Sequence, residues 1–111
     1  MNTSRKLLVI QVAALGDNLV QQGFPTVCGM PWHSADPVFP AVTCTAQATL
    51  RTASPPSAHG MVSNGRFFPD LAKVLFWEQS ARLVDGPRIW ESIRASGRRV
   101  GMMFWQQSLG E

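Results

Sequence analysis

The apolar positions of this chain are concentrated in two long runs, one near each end. Residues 7–15 are apolar except for Gln11, and such a nearly continuous run is typical of a strand buried on both faces. Residues 99–105 carry a second run of the same kind after an initial arginine. We therefore predict buried strands over residues 6–14 and 99–105.

A helix is predicted over residues 43–52, which consist largely of good helix formers. The Ser54-Pro55-Pro56 segment follows directly and is expected to end that helix. Thr43 or Thr45 would be an acceptable N-cap, because a threonine oxygen can accept a hydrogen bond from a backbone N–H group of the first turn.

An amphipathic helix is predicted over residues 88–96, where Ile89 and Ile93 fall on one face. Pro87 is suited to the first position of this helix. Gly97 is suited to the position just after its end, where a left-handed backbone conformation is common.

The remaining segments are richer in Gly and Pro and determine the predicted fold class. Residues 17–40 and 57–70 are predicted loops, and residues 71–84 contain a strand-like run at 74–77. Strands and helices that alternate along a chain favour an α/β fold, here a layered α/β/α domain with a largely parallel sheet. Two short helices cover such a sheet poorly, so we expect more chain to belong to the same fold and the domain within residues 1–111 to be incomplete.

Composition and charge exclude several functional classes. Hydrophobic residues make up 45% of the 111 residues and charged residues 15%, as in globular proteins. The net charge of +3 is scattered, so no basic face for nucleic acid is expected. No segment reaches the roughly 18 apolar residues of a membrane span.

The two cysteines and the first apolar run bear on the cellular compartment. Cys28 and Cys44 lack the close spacing of zinc ligands, so we expect buried free thiols rather than a metal site. A Cys28–Cys44 disulfide is the alternative in an oxidising compartment. Arg5-Lys6 before residues 7–15 resembles the start of a signal peptide, whereas Gln11 and the turn that follows favour a strand. A cytoplasmic location is the expectation, with a signal peptide as the alternative.

Thr43 and Asn64 are the candidates for chemistry on a phosphate ester. A helix N-terminus carries partial positive charge and free N–H groups, which suit phosphate oxygens and a nearby threonine nucleophile. The amide of Asn64 could donate to a developing oxyanion, and Gly60 and Gly65 would allow close approach of the backbone. The structural alternatives are an ordinary N-cap for Thr43 and an ordinary turn residue for Asn64, with His59 as a turn or packing residue.

A series of segments in order along the chain resembles the nucleotide pyrophosphatase/phosphodiesterase branch of the alkaline phosphatase superfamily. These segments are Phe39-Pro40-Ala41-Val42-Thr43, Thr52 to Gly60, Asn64-Gly65, Phe76 to Ser80, Gly86 to Glu91 and Phe104-Trp105. Each segment alone has low specificity, and the ordered combination has more.

The resemblance implies that residues 1–111 are the N-terminal part of a single alkaline-phosphatase-like catalytic domain. It also implies a function for the two candidate residues. It implies that Thr43 attacks phosphorus to form a phosphothreonine intermediate and contacts one of two divalent metal ions, with zinc the expected metal. It implies that Asn64 holds an oxygen of a small phosphate-ester substrate. The expected activity is that of a hydrolase of phosphate esters or diesters, and the oligomeric state is left open.

Two departures from the pattern of the family support alternatives. Ala13 stands where the first strand normally ends in a metal-binding aspartate, and alanine cannot bind a metal. The other Asp and His ligands of the family have no counterparts with suitable spacing here, so we expect this chain to be inactive by itself. The alternatives are a phosphonate or sulfate-ester hydrolase of the same superfamily, or a non-catalytic binding relic of the fold.

Overall fold

The computed structural model describes residues 5–23 and 26–111. It divides the chain into two compact units, residues 1–35 and residues 36–111. Residues 1–4 and 24–25, which fall within the predicted domain and the predicted 17–40 loop, lie outside the described residues. Each unit is described by itself below.

The first unit contains one short helix and one short β-hairpin. Helix α1 (Asp17–Gly23) buries Val20 and is followed by strands β1 (Thr26–Val27) and β2 (Met30–Pro31). The two strands pair antiparallel in the register Val27 to Met30. The prediction of a loop over residues 17–40 was therefore wrong for residues 17–23, which form α1. The acidic side chain of Asp17 in the first turn favours the start of a helix there.

The predicted strand over residues 6–14 is absent from the structure. Residues 6–12 have no regular secondary structure, and the segment ends in a turn at residues 13–14. Their side chains are exposed, 85% for Leu7 and 73% for Ile10. A strand requires a hydrogen-bonded neighbour, and no other described segment pairs with this one.

The second unit is organised around helix α2 (Thr43–Thr52), whose bounds match the predicted helix. The helix ends at Ala53 in the left-handed conformation, just before the predicted Pro-Pro stop. A one-turn helix, α3 (Pro56–His59), follows with proline at its first position. The predicted 57–70 loop thus begins inside a helix.

A β-hairpin follows the loop after α3. Strands β3 (Gly65–Phe68) and β4 (Lys73–Phe76) pair antiparallel around a short 3₁₀ turn, Pro69–Leu71. β4 confirms the strand-like run within residues 71–84, whereas β3 was missed within the predicted loop. A 3₁₀ turn, Ala81–Leu83, lies in the remainder of that segment.

The core of the second unit is small. Cys44 and Ala48 of α2 pack with Met61 and Val84, and Leu83 lies against this cluster. Cys44 is therefore a buried free thiol as predicted, whereas Cys28 of the first unit is an exposed one. Cys44 and Ala48 are four residues apart and therefore lie on the same face of α2, and the burial of this face orients the helix on the core.

The predicted strand over residues 99–105 is also absent. Residues 99–103 are irregular, and Phe104 has a positive φ and is 92% exposed. The segment that follows instead contacts α2: the backbone N–H of Gln106 donates to Oε1 of Gln47 over 2.7 Å. No other described strand pairs with residues 99–105, so the hydrogen-bonded neighbour that a strand requires is missing.

The predicted helix over residues 88–96 is shorter than expected. Helix α4 spans Glu91–Ala95 with Trp90 as its N-cap, so Pro87 does not occupy its first position. Gly97 does lie just beyond the helix, with φ of +80° as predicted for that place. All residues of α4 are exposed.

The fold class is mixed α/β with short antiparallel strand pairs. The described strands form two separate two-stranded sheets, and one isolated parallel bridge joins Ser80 to Leu109. The layered parallel sheet expected from the sequence is not present among them. Within the described ranges, no helix is long and apolar enough to cross a membrane.

Candidate functional site

Thr43 is the first residue of α2, not its N-cap. Val42 occupies the cap position in an extended conformation, and no side chain of that residue caps the helix. The predicted capping role of Thr43 or Thr45 was therefore wrong, since Thr45 lies inside the helix and is fully buried. The hydroxyl of Thr43, which is half-buried, is thus not needed to cap the helix.

Asn64 lies at the same end of α2. Its Oδ1 accepts a hydrogen bond from the backbone N–H of Cys44, the residue after Thr43, over 3.0 Å. This bond satisfies one of the four N–H groups that a helix leaves without partners at its start. With Oδ1 used as an acceptor, the Nδ2 amino group of Asn64 retains its donor capacity.

The loop that delivers Asn64 is fixed at both of its ends. At its start, Gly60 has φ of +77° and donates its N–H to the carbonyl of Pro56. At its end, the carbonyl of Asn64 accepts from the N–H of Trp77 over 3.0 Å. Gly65 faces the ring of Phe76 so closely that a Cβ there would lie 2.8 Å from it. Glycine at both places thus has a local structural cause, and the close approach of the backbone to a phosphate stays a prediction.

His59 is fully buried between α2 and this loop. Its Nδ1 accepts from the backbone N–H of Met61 over 3.1 Å, so Nε2 carries the hydrogen and donates to Oγ1 of Thr49 over 2.9 Å. Burial lowers the pKa of His59, as does the nearby charge of Arg51, while a backbone hydrogen bond partly opposes them. The packing interpretation of His59 is confirmed, but no local pattern indicated its bond to Thr49.

A buried polar cluster lies further along α2. The guanidinium of Arg51 donates from Nη1 to the carbonyl of Gln107 over 3.0 Å and lies 3.6 Å from a carboxylate oxygen of Glu111. Burial lowers the pKa of Arg51, and the charge of Glu111 opposes this shift. The amide of Gln107 donates to Sγ of Cys44 over 3.2 Å. These contacts hold residues 107–111 against the helix that begins with Thr43.

The donor set in the described ranges does not form a metal site. No group of three or more His, Cys, Asp or Glu side chains there could hold a metal ion. A cavity of about 490 Å³ in the second unit is lined mainly by charged residues of positions 82–94 and by Glu111, and neither Thr43 nor Asn64 borders it. The two-metal arrangement implied by the resemblance therefore does not fit the described residues alone.

The comparisons with known proteins identify the family. A family model described as type I phosphodiesterase / nucleotide pyrophosphatase matches residues 26–110, which is most of the chain. No curated protein matches the sequence. This family is one of phosphoester hydrolases that act on substrates such as nucleotides. The matched residues include both Thr43 and Asn64, and the chain belongs to the type I phosphodiesterase/nucleotide pyrophosphatase family.

Proposed function

We propose that this chain carries the nucleophile and one phosphate contact of a phosphodiesterase or nucleotide pyrophosphatase. Thr43 is the proposed nucleophile, and Asn64 the proposed donor to a phosphate oxygen. The observation that supports this assignment is the hydrogen bond from Cys44 N–H to Asn64 Oδ1, which fixes Asn64 beside the start of the helix that Thr43 begins. Family membership over residues 26–110 gives the reaction class.

The proposed reaction uses features that these two residues already have. The oxygen of Thr43 attacks phosphorus while its proton passes to water, and the bond from phosphorus to the leaving oxygen breaks as that oxygen takes up a proton from water. A second water molecule later cleaves the resulting phosphothreonine ester and restores the Thr43 hydroxyl. The partial positive charge at the helix start favours the approach of an anionic phosphate. The Nδ2 amino group of Asn64 would donate to an oxygen whose negative charge grows during the attack.

Metal dependence belongs to a complete domain in this proposal. Two divalent ions, zinc by preference, would activate a threonine that is a poor nucleophile at neutral pH, and Thr43 would contact one of them. The residues described here do not supply the remaining ligands, and Ala13 replaces one that the resemblance implies. We therefore propose that the 111-residue chain is inactive by itself.

The same proposal covers the architecture and location of the complete protein. Residues 1–111 would form the N-terminal part of one domain with a layered, largely parallel sheet, in which the exposed run at residues 7–12 becomes a strand. A cytoplasmic location agrees with two free cysteines. A small phosphate ester, rather than nucleic acid or a membrane, is the proposed partner.

The test compares Thr43→Ala with Thr43→Ser in a complete domain that contains this chain. With zinc and a chromogenic nitrophenyl phosphodiester, the alanine variant should lose about a thousandfold or more of kcat, and the serine variant should retain part of it. Thr45→Val serves as the matched control, since Thr45 is buried in the same helix. An alanine variant as active as the parent would refute the nucleophile.

The inactivity of the isolated chain has its own test. The purified 111-residue chain should show no turnover of the same diester with zinc, and no tight zinc binding by calorimetry. Zinc-dependent turnover that disappears in Thr43→Ala would refute the inactivity and support the nucleophile.

A non-catalytic binding relic of the fold is the second candidate, and Ala13 is the observation in its favour. Metal analysis of the complete domain separates the two functions. Bound zinc or manganese supports the hydrolase, whereas absence of metal together with absence of phosphate affinity supports the relic. A panel of phosphonate and sulfate esters on the same protein tests the remaining enzymatic alternative.

A further inference from the structure

His59 connects the two pieces of chain that form the candidate site. One ring nitrogen bonds to Thr49, which lies six residues after Thr43 on α2, or about 9 Å along the helix axis. The other accepts from the N–H of Met61, which lies three residues before Asn64. The imidazole is therefore a direct bridge between the helix and the loop that carries Asn64.

The bridge is rigid because every polar group of His59 that the structure describes has a partner. Its ring is fully buried, and its backbone carbonyl accepts from the N–H of Asp85 over 3.0 Å. A planar ring held at both nitrogens sets the distance between Thr49 and Met61. Only two residues, Val62 and Ser63, then separate this fixed point from Asn64.

We propose that His59 is a positioning residue for Asn64, which holds the loop so that the Asn64 amide reaches the N-terminus of α2. Its significance for phosphate binding rests on the proposed function, but the bond from Cys44 N–H to Asn64 Oδ1 can be measured without it. Loss of the imidazole bridge should let the loop move away from the helix start. The Cys44 N–H then loses its acceptor and becomes exposed to water.

The electrostatic surroundings of His59 favour the neutral ring that the bridge requires. Burial lowers its pKa, and the cation of Arg51 on α2 acts in the same direction. A carboxylate is also nearby: Asp85, which follows the 3₁₀ turn Ala81–Leu83, lies close to Gly60, the residue after His59. A doubly protonated ring could not accept from Met61 N–H, so the neutral tautomer is needed for both bonds.

The test measures hydrogen exchange at the Cys44 amide by NMR in the 111-residue chain. Thr49→Val removes the hydroxyl that bonds to His59 and preserves the size of the side chain, and Thr49→Ser retains the hydroxyl. Thr45→Val is the matched control, because it makes the same change in the same helix at a hydroxyl without a partner among the described residues. Asn64→Ala gives the exchange rate expected when the acceptor is lost completely.

We expect Thr49→Val to raise Cys44 exchange by about two- to tenfold, with amides in the middle of α2 unchanged. His59→Asn, which loses the bond to Thr49, should behave like Thr49→Val, while Thr49→Ser and Thr45→Val should match the parent. Unchanged Cys44 exchange in both Thr49→Val and His59→Asn would refute the proposal. An equal rise at all amides of α2 would also refute it, because it would indicate general loss of stability.

Failure of this proposal is distinguishable from failure of the proposed function. The exchange experiment needs no substrate or metal, and the kinetic comparison of Thr43 variants does not involve His59. A refuted nucleophile with a confirmed effect on Cys44 exchange would leave His59 as the residue that positions Asn64 in a binding relic.

Discussion

Asn64 caps the helix that contains Cys44, from a position twenty residues further along the chain. The side-chain oxygen of Asn64 accepts from the N–H of Cys44 over 3.0 Å, and no side chain at the N-cap position does so. Asn64 thus stabilises the start of α2 through its Oδ1, and this bond leaves the donor capacity of its Nδ2 amino group unused. These two roles can be separated by substitution. The cap needs only an oxygen that accepts from Cys44 N–H, whereas the proposed phosphate contact needs the amino group as a donor.

Asn64→Ala should lower the free energy of unfolding by about 1 kcal/mol, the usual effect of losing a helix cap. Asn64→Asp should retain most of the stability, because a carboxylate still accepts from Cys44 N–H and suits the positive end of the helix. The aspartate has no amino group and repels an anion, so phosphate-ester hydrolysis by a complete domain should be lost. Urea unfolding checks the first effect and kinetics the second. Equal stability of the alanine variant and the parent would contradict the capping role.

The bounds of α2 could be predicted from sequence, whereas its cap could not. Helix formers over residues 43–52 and the Pro-Pro stop after Ser54 are local signals, and the observed Thr43–Thr52 agrees with them. The cap depends on a contact between Asn64 and Cys44 that no window of neighbouring residues contains. For the same reason His59 could be predicted as a packing residue, but its bond to Thr49 could not.

The pKa of His59 predicts how stability depends on pH. Its pKa in the folded chain lies below the ordinary value of 6.5, so the unfolded chain binds the proton more readily. The free energy of unfolding should therefore be greatest above 6.5, fall as pH is lowered through that value, and level off below the folded-state pKa. Urea unfolding between pH 8 and 5 measures this slope.

The second histidine of the chain provides a control for this pH dependence. His59→Asn should abolish most of the slope, and His33→Asn, at an exposed position, should leave it in place. A slope of the same size in His59→Asn would show that another group is responsible.

Glu111 should contribute to stability through Arg51. Arg51 is fully buried, and two of its guanidinium nitrogens have no hydrogen-bond partner among the described residues, so it depends on the carboxylate of Glu111. Arg88 pairs with the same carboxylate. Glu111→Gln should lower the free energy of unfolding by roughly 1–3 kcal/mol, because it leaves a buried cation without its counter-charge.

Glu78→Gln is the matched control for this substitution. Glu78 is exposed and forms no ion pair within the described part of the chain, so its replacement should change stability by less than about 0.5 kcal/mol. Denaturant unfolding of both variants at pH 7 makes the comparison. Equal effects of the two substitutions would show that the Arg51–Glu111 pair adds nothing.

The strand predictions failed at both ends and succeeded only in part between them. Apolar runs at residues 6–14 and 99–105 indicate segments that would be stable when covered, but a strand also needs a neighbour for its backbone groups. β3 and β4 are each other's neighbours across Pro69–Leu71, and this hairpin had a usable signal in the Pro-Asp pair between two apolar runs. Strands therefore formed only where two segments of the chain hydrogen-bond to each other, and the apolar pattern of one segment does not show whether it has such a partner.

Ala53 is a place where stability can be increased. It ends α2 with φ of +49°, a left-handed conformation that costs an L-residue with a Cβ roughly 1–2 kcal/mol and costs glycine almost nothing. Ala53→Gly should therefore raise the free energy of unfolding by about 0.5–1 kcal/mol, after the greater flexibility of glycine in the unfolded chain is subtracted. Ala46→Gly, the same change inside the helix, should lower it by about 1 kcal/mol. Thermal unfolding of the two variants should give shifts of opposite sign, and a loss of stability in both would contradict the left-handed conformation at Ala53.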